Sequence, residues 1–139
     1  MGGLTGVTYL LDTHVILWFR LQPERLGAKS LRLLSKRQSQ FAISAVSALE
    51  ISQLVDKKRV EIEQPVDQWF QESLRLFGCR ITPLTPEISA TAYLLSKPFH
   101  PDPADRILVA TALGAKQTLL TADRRILESG IGKTRDARL

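Results

Sequence analysis

Short apolar runs alternate along this chain with longer stretches whose apolar residues recur at helical spacing. Residues 7–11, Val-Thr-Tyr-Leu-Leu, are rich in β-branched and aromatic side chains, which predicts a buried strand. Residues 41–44 and 118–121 read the same way, and residues 80–84 form a shorter candidate weakened by Pro83. Between the strands the period becomes that of a helix. Val15, Ile16, Trp18 and Phe19 mark a helix over 13–21, interrupted by Pro23, and Leu31, Leu33 and Leu34 mark another over 28–38. Val46, Leu49, Ile51, Leu54 and Val55 give 45–57 a broad apolar stripe. A further helix starts near Pro65 and runs to about Phe77, where Gly78 stops it. Ile88, Ala92 and Leu95 point inward from 86–96, and 104–115 and 123–128 are also helical. Residues 97–103 carry three prolines and predict a rigid loop. Gly130-Ile131-Gly132 is expected to hold a last small strand, and the C-terminal tail 133–139 to be frayed.

Strands that alternate with helices imply an α/β fold: a parallel sheet covered on both faces, with right-handed crossovers. No repeat, low-complexity tract or composition break divides the chain, so residues 1–139 read as one domain with a core over about 7–129.

Composition narrows the class. A chain of 139 residues with 44% hydrophobic content can bury a core without covalent staples. Cys79 is the one cysteine, which rules out an internal disulfide and suits a reducing compartment. There is no apolar run long enough to span a membrane, and the first residues lack the basic and apolar regions of a secretory signal, so the expected location is the cytoplasm. The balance of 19 Lys and Arg against 14 Asp and Glu, a net charge of +5, makes a polyanion a plausible partner. An ordinary solvated surface explains that charge about equally well.

Four acids change the picture. Asp12 ends the first strand, Asp123 follows the run 118–122, Glu50 comes shortly after the strand 41–44, and Asp105 opens the helical run beginning Asp-Arg-Ile-Leu. In an open parallel sheet, ligand sites form beyond the carboxyl ends of the strands. Carboxylates gathered at such an edge repel one another unless a cation sits between them, and oxygen-only ligands suit Mg²⁺ or Mn²⁺. The pattern reads as a metal-dependent enzyme acting on a phosphate ester. Thr13 and Thr121, next to Asp12 and Asp123, are expected as supporting hydroxyls.

Each acid also has a plain structural reading. Asp12 and Asp123 stand where an N-cap belongs. Ser47-Ala48-Leu49-Glu50 matches a capping box, although Ser44 is an alternative cap that would leave Glu50 deeper in its helix. Asp102-Pro103-Ala104-Asp105 is a helix start in which Asp102 suffices as the cap, freeing Asp105. Arg106, Arg124 and Arg125 adjoin the acids and are the candidate phosphate contacts, with surface ion pairing as the competing role. Lys57-Lys58-Arg59 reads as a solvated helix end. His14 and His100 are candidate acid–base groups, His14 reading more simply as structural. Trp18, Phe19, Trp69 and Phe70 are core by spacing.

Taken in order, Leu10-Leu11-Asp12-Thr13-His14, Ser44-Ala45-Val46-Ser47-Ala48-Leu49-Glu50-Ile51, Asp102-Pro103-Ala104-Asp105-Arg106-Ile107-Leu108-Val109-Ala110 and Leu119-Leu120-Thr121-Ala122-Asp123 form a specific set. Over residues 9–129 the chain resembles the PIN-domain ribonucleases, and in particular the VapC-type toxins of bacterial toxin–antitoxin pairs. The resemblance implies a PIN-like three-layer α/β/α sandwich with a short, mainly parallel central sheet. It implies an endoribonuclease that uses Mg²⁺ or Mn²⁺ held by Asp12, Glu50, Asp105 and Asp123, with Glu50 or Asp123 as the proton acceptor. It also implies a homodimer and a cognate antitoxin, for which some of the aromatic residues would offer an apolar groove. Ala104 departs from the family in size, a matter of packing.

Three other readings compete. A phospho-aspartate phosphatase also begins with a strand ending in Asp, but His14 stands where its second Asp belongs, and no phosphate-cradling glycine loop is present. A non-catalytic RNA-binding or scaffold module would keep the fold. A DNA nuclease would use the same metal chemistry.

Overall fold

The computed structural model describes residues 6–36, 40–96 and 98–139. Its sheet is built from β1 (Thr8–Leu11), β2 (Gln40–Ser44), β3 (Ile81–Thr82), β4 (Thr118–Thr121) and β5 (Lys133–Asp136), in the spatial order β3-β2-β1-β4-β5. All neighbours are parallel, and Leu10 of β1 lies between Ala42 and Leu119. The side-chain period of two sorts the strands onto two cores. Leu11, Phe41, Ile43 and Leu120 face α1 (Thr13–Leu21), α2 (Ala28–Ser35) and α4 (Val66–Phe77). Leu10, Ala42 and Leu119 face α6 (Pro103–Ala115) and α7 (Arg124–Glu128). Leu10, Leu11, Ile43 and Leu120 are fully buried, each contributing roughly 1.5–3 kcal/mol, and a one-residue slip would exchange the two faces. The result is the expected three-layer α/β/α sandwich.

α3 (Ala45–Asp56) and α5 (Pro86–Leu94) complete the α-helices among the described residues, and Pro23–Arg25 forms a short 3-10 helix after α1. α3 straddles the sheet edge, with Ile51 in the first core and Val46 in the second. The chain winds from β1 outward to β2 and β3, then crosses back to place β4 on the other side of β1. The reversal makes a crevice beyond the carboxyl ends of β1 and β4, the usual ligand site of an open α/β sheet.

The observed elements match the sequence reading closely in the first 120 residues. β3 shrinks to two residues and α5 stops at Leu94, where Leu95 turns to an extended conformation. The expected helix 28–38 ends at Ser35; its residues 37 and 38 lie outside the described residues.

The tail is the main correction. Gly130 and Gly132 have positive φ and form a turn, and the strand comes after them, as Lys133–Asp136. Residues 133–139 are docked. Ala137 is fully buried, its N–H donating to the Thr121 carbonyl at 2.9 Å and its carbonyl accepting from Gly27 N at 3.0 Å. The Leu139 carbonyl accepts from Lys29 N at 2.8 Å and from Ser30 N at 3.4 Å. The free N–H groups that open α2 are thus satisfied by this backbone segment.

Candidate active site

Asp12 follows β1 directly. Its backbone N–H donates to the Leu120 carbonyl at 3.0 Å and its own carbonyl accepts from Val15 and Ile16, so the backbone starts α1. The side chain makes no cap hydrogen bond. Instead Thr121, the last residue of β4, donates its hydroxyl to Asp12 Oδ2 at 2.5 Å. The same hydroxyl oxygen accepts from the Asp123 N–H at 3.0 Å, linking the ends of the two central strands.

Glu50 lies in the second turn of α3. Ser44 is the cap of that helix, accepting from Val46 N at 3.1 Å, so Glu50 is released from the capping box. The Thr13 hydroxyl bonds Glu50 Oε1 and lies 2.9 Å from the Ser47 hydroxyl. Asp102 caps α6 through Ala104 N at 2.8 Å, which leaves Asp105 free in the first turn. Asp123 does both jobs: Oδ1 caps α7 by accepting from Ile126 N at 3.1 Å, and Oδ2 lies 3.1 Å from His100 Nε2.

These acids share one cleft of about 210 Å³, lined by Asp12, Glu50, Asp102, Asp105 and Asp123 with His14, Trp18, Ala122 and Arg138. A larger hollow of about 430 Å³ adjoins it and shares His14 and Trp18. The larger volume is the less informative of the two, since the titratable groups that affect one another sit in the smaller. Burial, and then the charges of Asp12, Asp102, Glu50 and Asp123, push the Asp105 carboxyl up to about 8. Burial, against the hydrogen bond from Thr13 and helped by Asp12 and Asp102, pushes Glu50 up to about 7. Burial also raises Asp12, opposed by the Thr121 hydrogen bond. Carboxylates that resist ionisation because they are buried, and further because of one another, form a donor set suited to a divalent cation, and the oxygen chemistry agrees.

Arg106 corrects the sequence reading. It is 3% exposed and cannot reach a phosphate in solvent. Its guanidinium donates to four backbone carbonyls: Ala92 at 2.9 Å, Leu95 at 2.8 Å, Ser96 at 3.2 Å and His100 at 2.9 Å. It closes the carboxyl end of α5 and fixes the loop before α6. Arg124 and Arg125 are exposed, and Arg125 lines a separate hollow with Phe99 and Glu128. The cation at the acid cleft is Arg138, carried there by the docked tail. Trp69 and Phe70 are core, as their spacing predicts; Trp18 and Phe19 are half-buried.

His100 is the residue whose place the sequence did not fix. It is 7% exposed, with Nε2 3.1 Å from Asp123 Oδ2 and 3.3 Å from Asp105 Oδ2. His14, by contrast, is exposed on the cleft rim, 6.3 Å from the Trp18 ring.

Comparison with known proteins agrees with the fold. The family model for the PIN domain matches residues 9–130. Ribonuclease VapC22 of Mycobacterium tuberculosis is 35% identical over 122 residues, 86% of this chain and 89% of that protein. Among solved structures, a toxin–antitoxin complex from Klebsiella pneumoniae matches with a TM-score of 0.66 and 18% identity, over 93% of this chain and 97% of that one. VapBC2 from Rickettsia felis, bound to a DNA fragment from its promoter, matches with a TM-score of 0.64 and 17% identity, over 92% and 97%. At those identities the structural likeness concerns the fold.

Proposed function

The chain belongs to the PIN-domain family, and from that premise we propose that it is a divalent-metal-dependent endoribonuclease, the toxin of a toxin–antitoxin pair. The observation that carries the reading is the convergence of Asp12, Glu50, Asp105 and Asp123 on one cleft, where burial and mutual charge raise three of the four. These four residues would hold Mg²⁺ or Mn²⁺. When bound, such a cation supplies Lewis acidity, stabilising charge on the scissile phosphate and making water a better nucleophile.

The chain's own groups do the rest. Thr121 and Thr13 hold Asp12 and Glu50 in place from the protein side. Of the two candidate proton acceptors, Asp123 has both oxygens engaged, by Ile126 N and by His100. Glu50 has only Oε1 held, by Thr13, so Glu50 Oε2 is assigned to accept the proton of the attacking water. Arg138 takes the place of Arg106 as a phosphate contact, and Arg25 and Arg59 in the adjoining hollow extend the basic surface along the strand.

The partners on this reading are RNA, a cognate antitoxin and a second copy of the chain, in the cytoplasm. Leu17, Trp18, Leu21, Leu54 and Val60 give the larger hollow the apolar character that an antitoxin segment requires. No helix among the described residues is long and apolar enough to cross a membrane.

The test is to incubate antitoxin-free protein with total RNA and with single-stranded DNA, in Mg²⁺, Mn²⁺ or EDTA. Discrete RNA fragments that need the metal are the expected result. Metal-dependent cutting of DNA alone would reassign the substrate, and RNA binding without cleavage by folded protein would make it a non-catalytic module.

A further inference from the structure

His100, Asp105 and Asp123 present three ligand-type atoms within 4.8 Å of one another, which on distance alone is a three-ligand metal site. The other ring nitrogen argues otherwise. His100 Nδ1 lies 3.1 Å from the backbone N of Asp102, and a backbone amide can only donate. Nδ1 therefore presents its lone pair, and the proton of the neutral imidazole sits on Nε2. That nitrogen faces two carboxylate oxygens, Asp123 Oδ2 at 3.1 Å and Asp105 Oδ2 at 3.3 Å, which accept when ionised. A histidine that ligates a metal gives its lone pair to the ion and donates its second N–H to an acceptor. Here the polarity is reversed at both nitrogens.

The surroundings lock this arrangement. Arg106 donates to the His100 carbonyl at 2.9 Å, and the ring stands edge-on to Phe99 with 5.8 Å between centroids. The Asp102 N–H that selects the tautomer is held by the same turn that caps α6, since the Asp102 side chain accepts from Ala104 N. A fixed ring thus offers its N–H to Asp123 in the β4–α7 turn, with Asp105 Oδ2 of α6 3.3 Å from the same nitrogen.

We propose that His100 is a positioning residue of the acidic centre: its Nε2–H holds Asp123 Oδ2 in place beside Asp105, and the ring does not ligate the cation. The proposal rests on the reading of the cleft as a cation site, and it explains why a histidine sits inside an oxygen-ligand cluster. The Nε2–H donor fixes Asp123 Oδ2 next to Asp105, leaving the cation to be held by oxygen alone.

The tautomer is tested first, without any cation. Long-range ¹⁵N–¹H correlation spectra of the metal-free protein are expected to show His100 protonated at Nε2 and bare at Nδ1; an Nδ1–H tautomer would overturn the proposal. Mn²⁺ is the probe for the second arm. Pulsed EPR of the Mn²⁺-loaded protein is expected to show no directly bound imidazole nitrogen, and a coupling that disappears in His100→Gln would make the ring a ligand instead. Gln carries an amide N–H about where Nε2 sits, whereas Asn reaches only the position of Nδ1. His100→Gln is therefore expected to keep Mn²⁺ affinity within about threefold, while His100→Asn and His100→Ala weaken it by roughly 10- to 100-fold. Equal loss in all three variants, or no loss in His100→Ala, contradicts the positioning role. If wild-type protein with the Nε2–H tautomer binds no Mn²⁺, the reading of the cleft fails and the proposal falls with it. A bound Mn²⁺ with nitrogen coupling overturns the proposal alone.

Discussion

Thr121 donates to Asp12 across the adjacent carboxyl ends of β4 and β1, at 2.5 Å and with both residues buried. The pair joins residues 109 apart in sequence, and it is what holds the most buried acid of the cleft in place. Thr121→Val keeps the shape and removes both the donor to Asp12 and the acceptor for Asp123 N. We expect a stability loss of about 1.5–3 kcal/mol, as for a buried hydrogen bond to a charged group, and metal affinity lower by roughly 10- to 100-fold. Thr121→Ser, which keeps the hydroxyl, stays near wild type. Urea unfolding and calorimetric Mn²⁺ titration check both.

Arg106 separates a structural role from a substrate role. If its guanidinium serves the α5 carbonyls, Arg106→Lys loses the planar fork, leaves carbonyls unpaired and costs about 2–4 kcal/mol in urea unfolding. A phosphate contact would instead leave stability unchanged and, because lysine keeps the positive charge, leave the salt dependence of RNA binding nearly unchanged as well.

The raised acids set a pH dependence with a definite sign. Asp105 at about 8 and Glu50 at about 7 hold protons in the folded state that the unfolded chain has already released. In metal-free protein their contribution to stability is complete below the unfolded carboxylate values, near 4, and is lost as pH rises toward 8. Thermal unfolding of wild type against Asp105→Asn isolates the effect from the general charge of the protein. The expected result is that the variant gains on the wild type as pH rises from 5 to 8, and that Mg²⁺ stabilises the wild type more at pH 8 than at pH 5. A difference between the two proteins that does not change with pH would contradict the origin assigned to these shifts.

Gly27 is where the docked tail meets α2. A Cβ there would fall 2.1 Å from Leu139 C and 2.2 Å from the Arg138 carbonyl oxygen, so one of the two backbones must move. Gly27→Ala is expected to cost about 1–3 kcal/mol and to weaken RNA binding by displacing Arg138 from the cleft rim. Chemical denaturation and filter binding of RNA measure the two effects.

The parts of this fold that were legible in sequence are those that bury apolar area. β1, β2 and β4 announce themselves because Leu10, Leu11, Ile43, Leu119 and Leu120 must be hidden, and the four acids stand at or near the ends of those strands or at a helix start. β5 was missed because Lys-Thr-Arg-Asp has no apolar face; it is an edge strand held by backbone pairing to β4. Arg106 was misplaced because adjacency to Asp105 says nothing about direction on a helix, where each step turns the side chain by about 100°. His100 lies in a proline-rich loop without periodicity, and its partner Asp123 is 23 residues away. The one local signal was its position two residues before the helix-capping Asp102.

The most direct measurement is cleavage of total RNA by wild type and Asp12→Asn side by side, across a Mg²⁺ series that ends in EDTA. Asn keeps the shape of Asp12 and removes its charge. The account predicts wild-type fragments that rise with Mg²⁺ and vanish in EDTA, and a folded variant slower by at least roughly 100-fold, as when a cation-holding charge is lost. Equal cleavage by the two proteins, or cleavage that survives EDTA, would contradict it.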